Sequence, residues 1–349
     1  MTVRLCYVTA YLDIGRETWT HFQRTFDWYF NSFIPLVNMF KSISNEERAL
    51  YDFIIFIDSK YYDKVKEYVG DINNIVVIPI NETFMENNIF AWSKLERETE
   101  IMSSKEYKKL ISHRLNCPET NNPKYTIINH SKIDFVCFAT ILSTCQYFCW
   151  VDFGYCGNEE RTPSYLLNID LFDKDKINYT LIQPITEKDE NIIFTLSNPR
   201  DVVAGCFFLG SREKIEEYQK LYHSVLEMFQ DKNLADDDQH LVIQCKARNP
   251  DLFFFDCLNG WHRALVHYQK TPILTQLTEI MNRNGSDKGS GHHNYTEYYS
   301  KLFDGIRNNS LNVLEIGIGT INPNIQSSMC GTPGGYTPGA SIRGWKEYF

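Results

Sequence analysis

The sequence predicts an α/β protein with a mostly parallel central sheet, and three observations carry that expectation. Short apolar runs recur, among them Val3 to Ala10, Phe53 to Ile57 and Ile75 to Ile78. Stretches with helical spacing of apolar residues stand between and before them, from Trp19 to Phe40 and from Tyr61 to Val69. Runs that are apolar throughout mark strands buried on both faces, with helices as the cover. A chain of 349 residues, 43% apolar, has enough material for such a core.

The elements follow in order. Val3 to Ala10 forms the first strand, and Phe53 to Ile57 a second that ends at Asp58. In doubly wound sheets ligands bind beyond the carboxyl ends of the strands, which puts Thr9, Asp13, Asp58 and Lys60 where a ligand sits. Asn129-His130-Ser131-Lys132 precedes a helix over Ile133 to Cys145, with Ser131 as its N-cap. A strand from Tyr147 to Val151 then runs into Asp152-Phe153-Gly154-Tyr155. Val203 to Leu209 is a strand around Gly205, followed by a charged helix from Arg212 to Gln230 and by Asp236-Asp237-Asp238 leading into the helix Leu241 to Cys245. Past residue 270 the character changes: Thr271-Pro272 reads as a linker, and ten of the last 33 residues are Gly or Pro. The expected division is 1–270 and 271–349.

Composition excludes several function classes. A formal charge of −9 opposes non-specific binding to nucleic acid, so no nucleic-acid partner is expected. Ten cysteines lie mostly inside apolar runs, with no CxxC pair, which reads as buried thiols of a reducing cytosol and gives no zinc site. The chain passes from Met1 directly into a strand, leaving no signal-peptide core. Phe135 to Val151, its most apolar stretch, is shorter than the roughly 20 residues a bilayer requires. Cytoplasmic location with at most peripheral membrane contact is the expectation.

Several residues could carry chemistry. Asp152 ends a strand and is followed closely by Gly154, so its carboxylate can meet a divalent cation or a ribose hydroxyl, or simply cap the turn. Asp236 to Asp238 lie at a helix N-terminus, where the macrodipole favours acids; one of them could instead take a proton from an acceptor hydroxyl. Lys132, in the first turn of its helix, can reach an anion such as diphosphate or stay a surface charge. Gly205 permits close backbone approach or marks a bulge. His262 is a metal ligand or a structural histidine.

Together, Val8-Thr9-Ala10-Tyr11-Leu12-Asp13-Ile14-Gly15-Arg16, Asn129 to Lys132, Trp150 to Tyr155 and Asp236 to Gln239 resemble the HtrL/YibB family of bacterial proteins over about residues 2–270. That resemblance implies a GT-A-like, Rossmann-like glycosyltransferase associated with surface polysaccharide such as capsule or lipooligosaccharide. It implies a nucleotide-diphosphate sugar as donor, bound by Thr9, Ala10, Asp13, Arg16, Asp58, Lys132, Asp152, Gly154 and Gly205, and a glycan or lipid-linked glycan as acceptor. Asp152 takes the place of the Asp-x-Asp motif that holds nucleotide and metal (Mn2+ or Mg2+), His262 matches a late metal-binding histidine, and Asp237 or Asp238 the acidic motif bearing the base. One departure stands out: Gly154 occupies the place of the second motif aspartate.

The tail resembles a different family. Asn284 to Gly289, His292 to Tyr295 and Val313-Leu314-Glu315-Ile316-Gly317-Ile318-Gly319 are similar to the start of a class I S-adenosylmethionine-dependent methyltransferase of the macrocin O-methyltransferase type. The likeness implies one strand and one glycine turn of an incomplete methyltransferase segment, which should not bind the cofactor because the remaining strands and the ribose-binding acid are missing. The competing readings are a fragment of a bifunctional glycosyl- and methyltransferase, and a non-catalytic module that binds nucleotide sugar or glycan.

Overall fold

The computed structural model describes residues 4–198, 200–270, 274–290, 295–309, 311–317, 320, 322, 324 and 338–349. The chain forms two compact units, Met1–Gln269 and Lys270–Phe349. The first is built on a seven-stranded sheet: β1 (Leu5–Tyr11), β2 (Tyr51–Asp58), β3 (Ile75–Ile80), β4 (Tyr147–Val151), β5 (Ile177–Leu181), β6 (Val203–Ser211) and β7 (Phe253–Cys257). Their spatial order is β3, β2, β1, β4, β6, β5, β7. Every pairing is parallel except those of β6, which runs antiparallel to both β4 and β5. The α/β class with a mostly parallel sheet is therefore as expected.

Alternation along the strands assigns the two faces. Cys6, Val8, Ile54 and Phe56 belong to one buried cluster, while Leu5, Tyr7, Phe53, Ile55 and Ile57 belong to the other. Helix α1 (Phe26–Ser42) supplies Phe33, Leu36 and Val37 to the second cluster, and α2 (Tyr62–Val69) adds Val65 and Val69. The first cluster is closed by α3 (Pro123–His130), α4 (Lys132–Leu142), α5 (Arg212–Asp231) and α6 (Asp238–Arg248). Burial on both faces is what makes the strands apolar throughout.

Three local expectations need correction. The helix expected from Trp19 begins only at Phe26, because Thr25 caps it by accepting from the Trp28 amide, and Trp19 belongs to the preceding loop, its ring beside Arg16 and Tyr125. Ser131 does not cap α4: its backbone is helical and its hydroxyl donates to the Ile127 carbonyl, so α3 runs almost directly into α4. Strand β5 went unrecognised, since Asn178 and Thr180 interrupt its apolar pattern; Asn178 is buried and donates to the Asp173 and Lys176 carbonyls.

The second unit packs α7 (Gln276–Arg283), α8 (Tyr295–Phe303) and α9 (Ala340–Tyr348) around Leu277, Ile280, Met281, Trp345 and Tyr348. The expected strand over Val313 to Gly319 is absent from its described part: Val313 to Gly317 has no regular structure, and Leu314 and Ile316 are 85% and 89% exposed. A lone strand has no neighbour for its backbone groups. Glu315 instead accepts from Ser341 and Trp345 and pairs with Lys288 at 2.7 Å. Thr271-Pro272, His292 to Asn294, Ile318 and Gly319 lie outside the described residues. Among the described residues no helix is long and apolar enough to cross a membrane, and nine cysteines are unpaired thiols.

Candidate functional site

After β1 the chain moves outward on one side to β2 and β3, then returns to place β4 on the other side of β1. That reversal opens a crevice beyond the carboxyl ends of β1 and β4, the place where α/β sheets hold ligands. A cavity of about 200 Å3 lies there. Ala10, Tyr11 and Leu12 line it from the end of β1, Trp150 and Asp152 from the end of β4, and Lys132 from the start of α4. Among its described lining residues Asp152 is the one acid, against Arg16, Arg24, Lys132 and Arg161.

Lys132 is the node of the site. It is 8% exposed, and its Nζ donates to Asp238 Oδ2 at 2.8 Å and to the Gly205 carbonyl at 2.9 Å while standing 3.3 Å from Asp152 Oδ1. Burial alone would lower its pKa, but Asp152 and then Asp238 outweigh burial and hold the ammonium above its ordinary range. The same Asp152 oxygen accepts from the Trp150 indole at 2.6 Å. Asp152 keeps about a third of its side-chain surface exposed. Gly205 is required by this arrangement, since a Cβ there would lie 2.6 Å from Asp238 Oδ2.

The acidic run is buried and differentiated. Asp237 caps α6, its two oxygens accepting from the Gln239 amide and side chain. Burial and then the flanking Asp236 and Asp238 push its carboxyl up to about 7. Asp236 accepts from His240 Nδ1 at 2.6 Å. Burial would raise the Asp236 pKa, but the His240 charge and hydrogen bond bring it below the ordinary carboxylate value; burial would lower His240, but Asp236 lifts it from 6.5 to about 9. Asp236, Asp237 and His240 are the one group of three possible metal ligands among the described residues, with ligand atoms within 4.8 Å of one another.

A raised histidine pKa stabilises the fold fully below the unfolded value of 6.5 and loses that contribution as pH rises through about 9. The paired Asp236, lowered in the fold, contributes above its unfolded value of 3.8 and loses it as acid protonates it. Thermal melting should therefore fall between pH 7 and pH 10, and His240→Gln should flatten that part of the profile. An unchanged profile in the variant would place the titrating group elsewhere.

The structure separates the remaining expected site residues. Ala10, Arg16, Gly154 and His262 line the cavity with Lys132 and Asp152. Neither Asp237 nor Asp238 does; both are buried, Asp238 against Lys132 and Asp237 against Gln239. Thr9 is fully buried in β1 and does not line the cavity. Asp13 and Asp58 form a separate structural corner: Asp58 accepts from the Lys60 and Asp13 amides, and Asp13 from Lys60, Tyr61 and the Gly15 amide. Gly154 is packed so closely that a Cβ would lie 2.9 Å from Tyr29 and 3.1 Å from Trp28, and a second motif aspartate has no room there.

Residues 3–268 match the family described as "Bacterial protein of unknown function (HtrL_YibB)". The chain belongs to the HtrL/YibB family. Protein HtrL of Escherichia coli (strain K12) is 27% identical over 260 residues, spanning 70% of this chain and 85% of HtrL. Mouse xyloside xylosyltransferase 1, in its apo form, aligns over 72% of this chain and 84% of its own at 11% identity, with a TM-score of 0.40.

Two cavity residues of this HtrL/YibB chain escaped the sequence reading, Arg24 and Arg161. Arg24 lies in the loop before the N-cap Thr25, its guanidinium over the Trp28 ring at 4.3 Å, and no helical spacing marks it. Arg161 sits in a short turn after β4 that no motif marks. Whether the expected metal pair fits is decided by the donors present. His262 is kept neutral, burial and then Arg161 lowering its pKa to about 4, and its Nδ1 is buried without a partner. Asp152 Oδ1, however, already faces an indole N–H and an ammonium. Magnesium and manganese favour several oxygen ligands, and of these two residues only Asp152 offers one, through Oδ2, so the pair alone is a poor match.

Proposed function

We propose that this chain is a glycosyltransferase of GT-A type, working on the cytoplasmic side, which moves a sugar from a nucleotide-diphosphate donor to a hydroxyl of a growing surface glycan such as capsule or lipooligosaccharide. One observation carries the reading: a cleft at the switch point of a mostly parallel sheet, lined by four cationic side chains and one carboxylate. A diphosphate needs positive groups that are already oriented, because negative charge grows on it as its bond to the sugar breaks. Tyr11, Trp28, Tyr29 and Tyr125 give the same cleft flat surfaces suited to a nucleobase or sugar ring.

In this reading Asp152 accepts from hydroxyls of the donor or of the acceptor. Trp150 and Lys132 fix its orientation, and Asp238 acts on Lys132 rather than on the acceptor. The acceptor is a glycan, free or lipid-linked. The segment beyond residue 270 takes no part in the transfer, and no S-adenosylmethionine binding is expected of it.

The test is a screen of nucleotide sugars for thermal stabilisation, followed by measurement of nucleoside diphosphate release with and without glycan acceptors. A donor present at 100 times its dissociation constant should add about 2.7 kcal/mol to native stability. Stabilisation by a donor together with release is the expected result. Binding without release would support a non-catalytic module, and a flat response to every donor would remove the proposal.

A further inference from the structure

Resting on the donor-site reading above, we infer that the diphosphate is neutralised by side chains of this chain, Arg16, Arg24, Arg161 and Lys132, and that a divalent cation is not part of the site. The family resemblance leads to the opposite expectation, a metal held at Asp152 and His262, and three observations argue against it.

The first is occupancy around Asp152. A magnesium ion lies about 2.0–2.1 Å from its oxygen ligands. Asp152 Oδ1 instead has Trp150 Nε1 at 2.6 Å and Lys132 Nζ at 3.3 Å, which leaves Oδ2 as the one oxygen of this carboxylate open to a cation. The ammonium already supplies positive charge at the carboxylate, and it is anchored there by Asp238 and by the Gly205 carbonyl. The second is the missing ligand. Gly154 stands where the resemblance places another carboxylate, and a Cβ at that position would lie 2.9 Å from Tyr29 and 3.1 Å from Trp28.

The third is the balance of charge. Four cationic side chains face one carboxylate in the described lining, with Asp238 as a second behind Lys132, and His262 is neutral, so the balance stays positive. A divalent cation would enter a cavity that is already positive, whereas a diphosphate would enter one that attracts it. The arginines are also pre-set. Arg16 is buried, donating to the Tyr29 hydroxyl at 2.7 Å and to the Phe22 carbonyl at 2.9 Å, with its guanidinium beside the Trp19 and Tyr125 rings. Arg24 is stacked on Trp28. Planar guanidinium groups held this way present paired N–H donors to phosphate oxygens.

The experiment measures binding of uridine, guanosine, adenosine and cytidine diphosphates to the full chain by calorimetry, once in excess EDTA and once in millimolar manganese. The expected result is that one of them binds equally in both buffers, within about threefold, and that Arg24→Gln with Arg161→Gln weakens it by at least about tenfold, as the loss of charge-assisted hydrogen bonds requires. Arg24 is exposed and Arg161 half-buried, and neither forms a buried ion pair among the described residues, so the fold should persist, and an unchanged melting temperature confirms it. Binding in manganese alone would overturn the inference and leave the donor-site reading standing. Binding that ignores both arginines would overturn their assigned role. No binding in either buffer would overturn the inference and the donor site together.

Discussion

Asp152→Asn is expected to reduce nucleoside diphosphate release by roughly 10²–10³-fold, the range typical for removing one pre-oriented polar group from a reacting centre, while leaving the fold intact. The amide is the same size as the carboxylate, and its oxygen can still accept from the Trp150 indole, so the side chain should keep its place at the end of β4. What disappears is the negative charge in a cavity whose other fixed charges are positive. Lys132 retains Asp238 as its buried partner, and for that reason the melting temperature should barely move. Steady-state turnover and melting measured on one preparation separate the two effects. Wild-type turnover in this variant would remove Asp152 from the mechanism.

Lys132→Met is expected to act the other way round, on stability first. Asp238 has a 10% exposed side chain and pairs with the ammonium at 2.8 Å. Removing one partner of a buried ion pair leaves the other charge uncompensated, which typically costs roughly 3–5 kcal/mol. For a domain of this size that corresponds to a fall in Tm on the order of 10 °C. Adding Asp238→Asn should recover part of the loss, because the stranded charge is removed with its partner. A double variant no more stable than Lys132→Met alone would show that the pair is not what the substitution disturbs. The double variant should also stay impaired in diphosphate binding, since the ammonium contributes to that as well.

How much of this was legible in the sequence depends on the kind of signal each residue leaves. Strands β1, β2, β3, β4 and β6 announce themselves because burial on both faces demands unbroken apolar runs. Strand β5 hides behind Asn178, whose amide is satisfied only by carbonyls that the folded chain brings near. Asp152 and Lys132 could be chosen from their positions after a strand and at a helix start. That Lys132 bridges Asp152 and Asp238 could not, because a separation of 106 positions between lysine and partner aspartate carries no local trace of the pairing. Asp13 and Asp58 show the reverse failure: they sit at strand ends as expected, yet the turn backbone and Lys60 consume them. The glycine at 154 was legible as a departure from a motif, and the Tyr29 and Trp28 rings that enforce it were not.

The direction of β6 has a consequence for how such a cleft can diversify. Its neighbours finish at the crevice, whereas β6 starts there, so the whole connection from Ile182 to Val202 departs from and returns to the same rim. Lengthening or re-shaping that connection changes the rim without changing a single rung of the ladder beneath. The rim can therefore be remodelled while Lys132 and its two carboxylates keep their places.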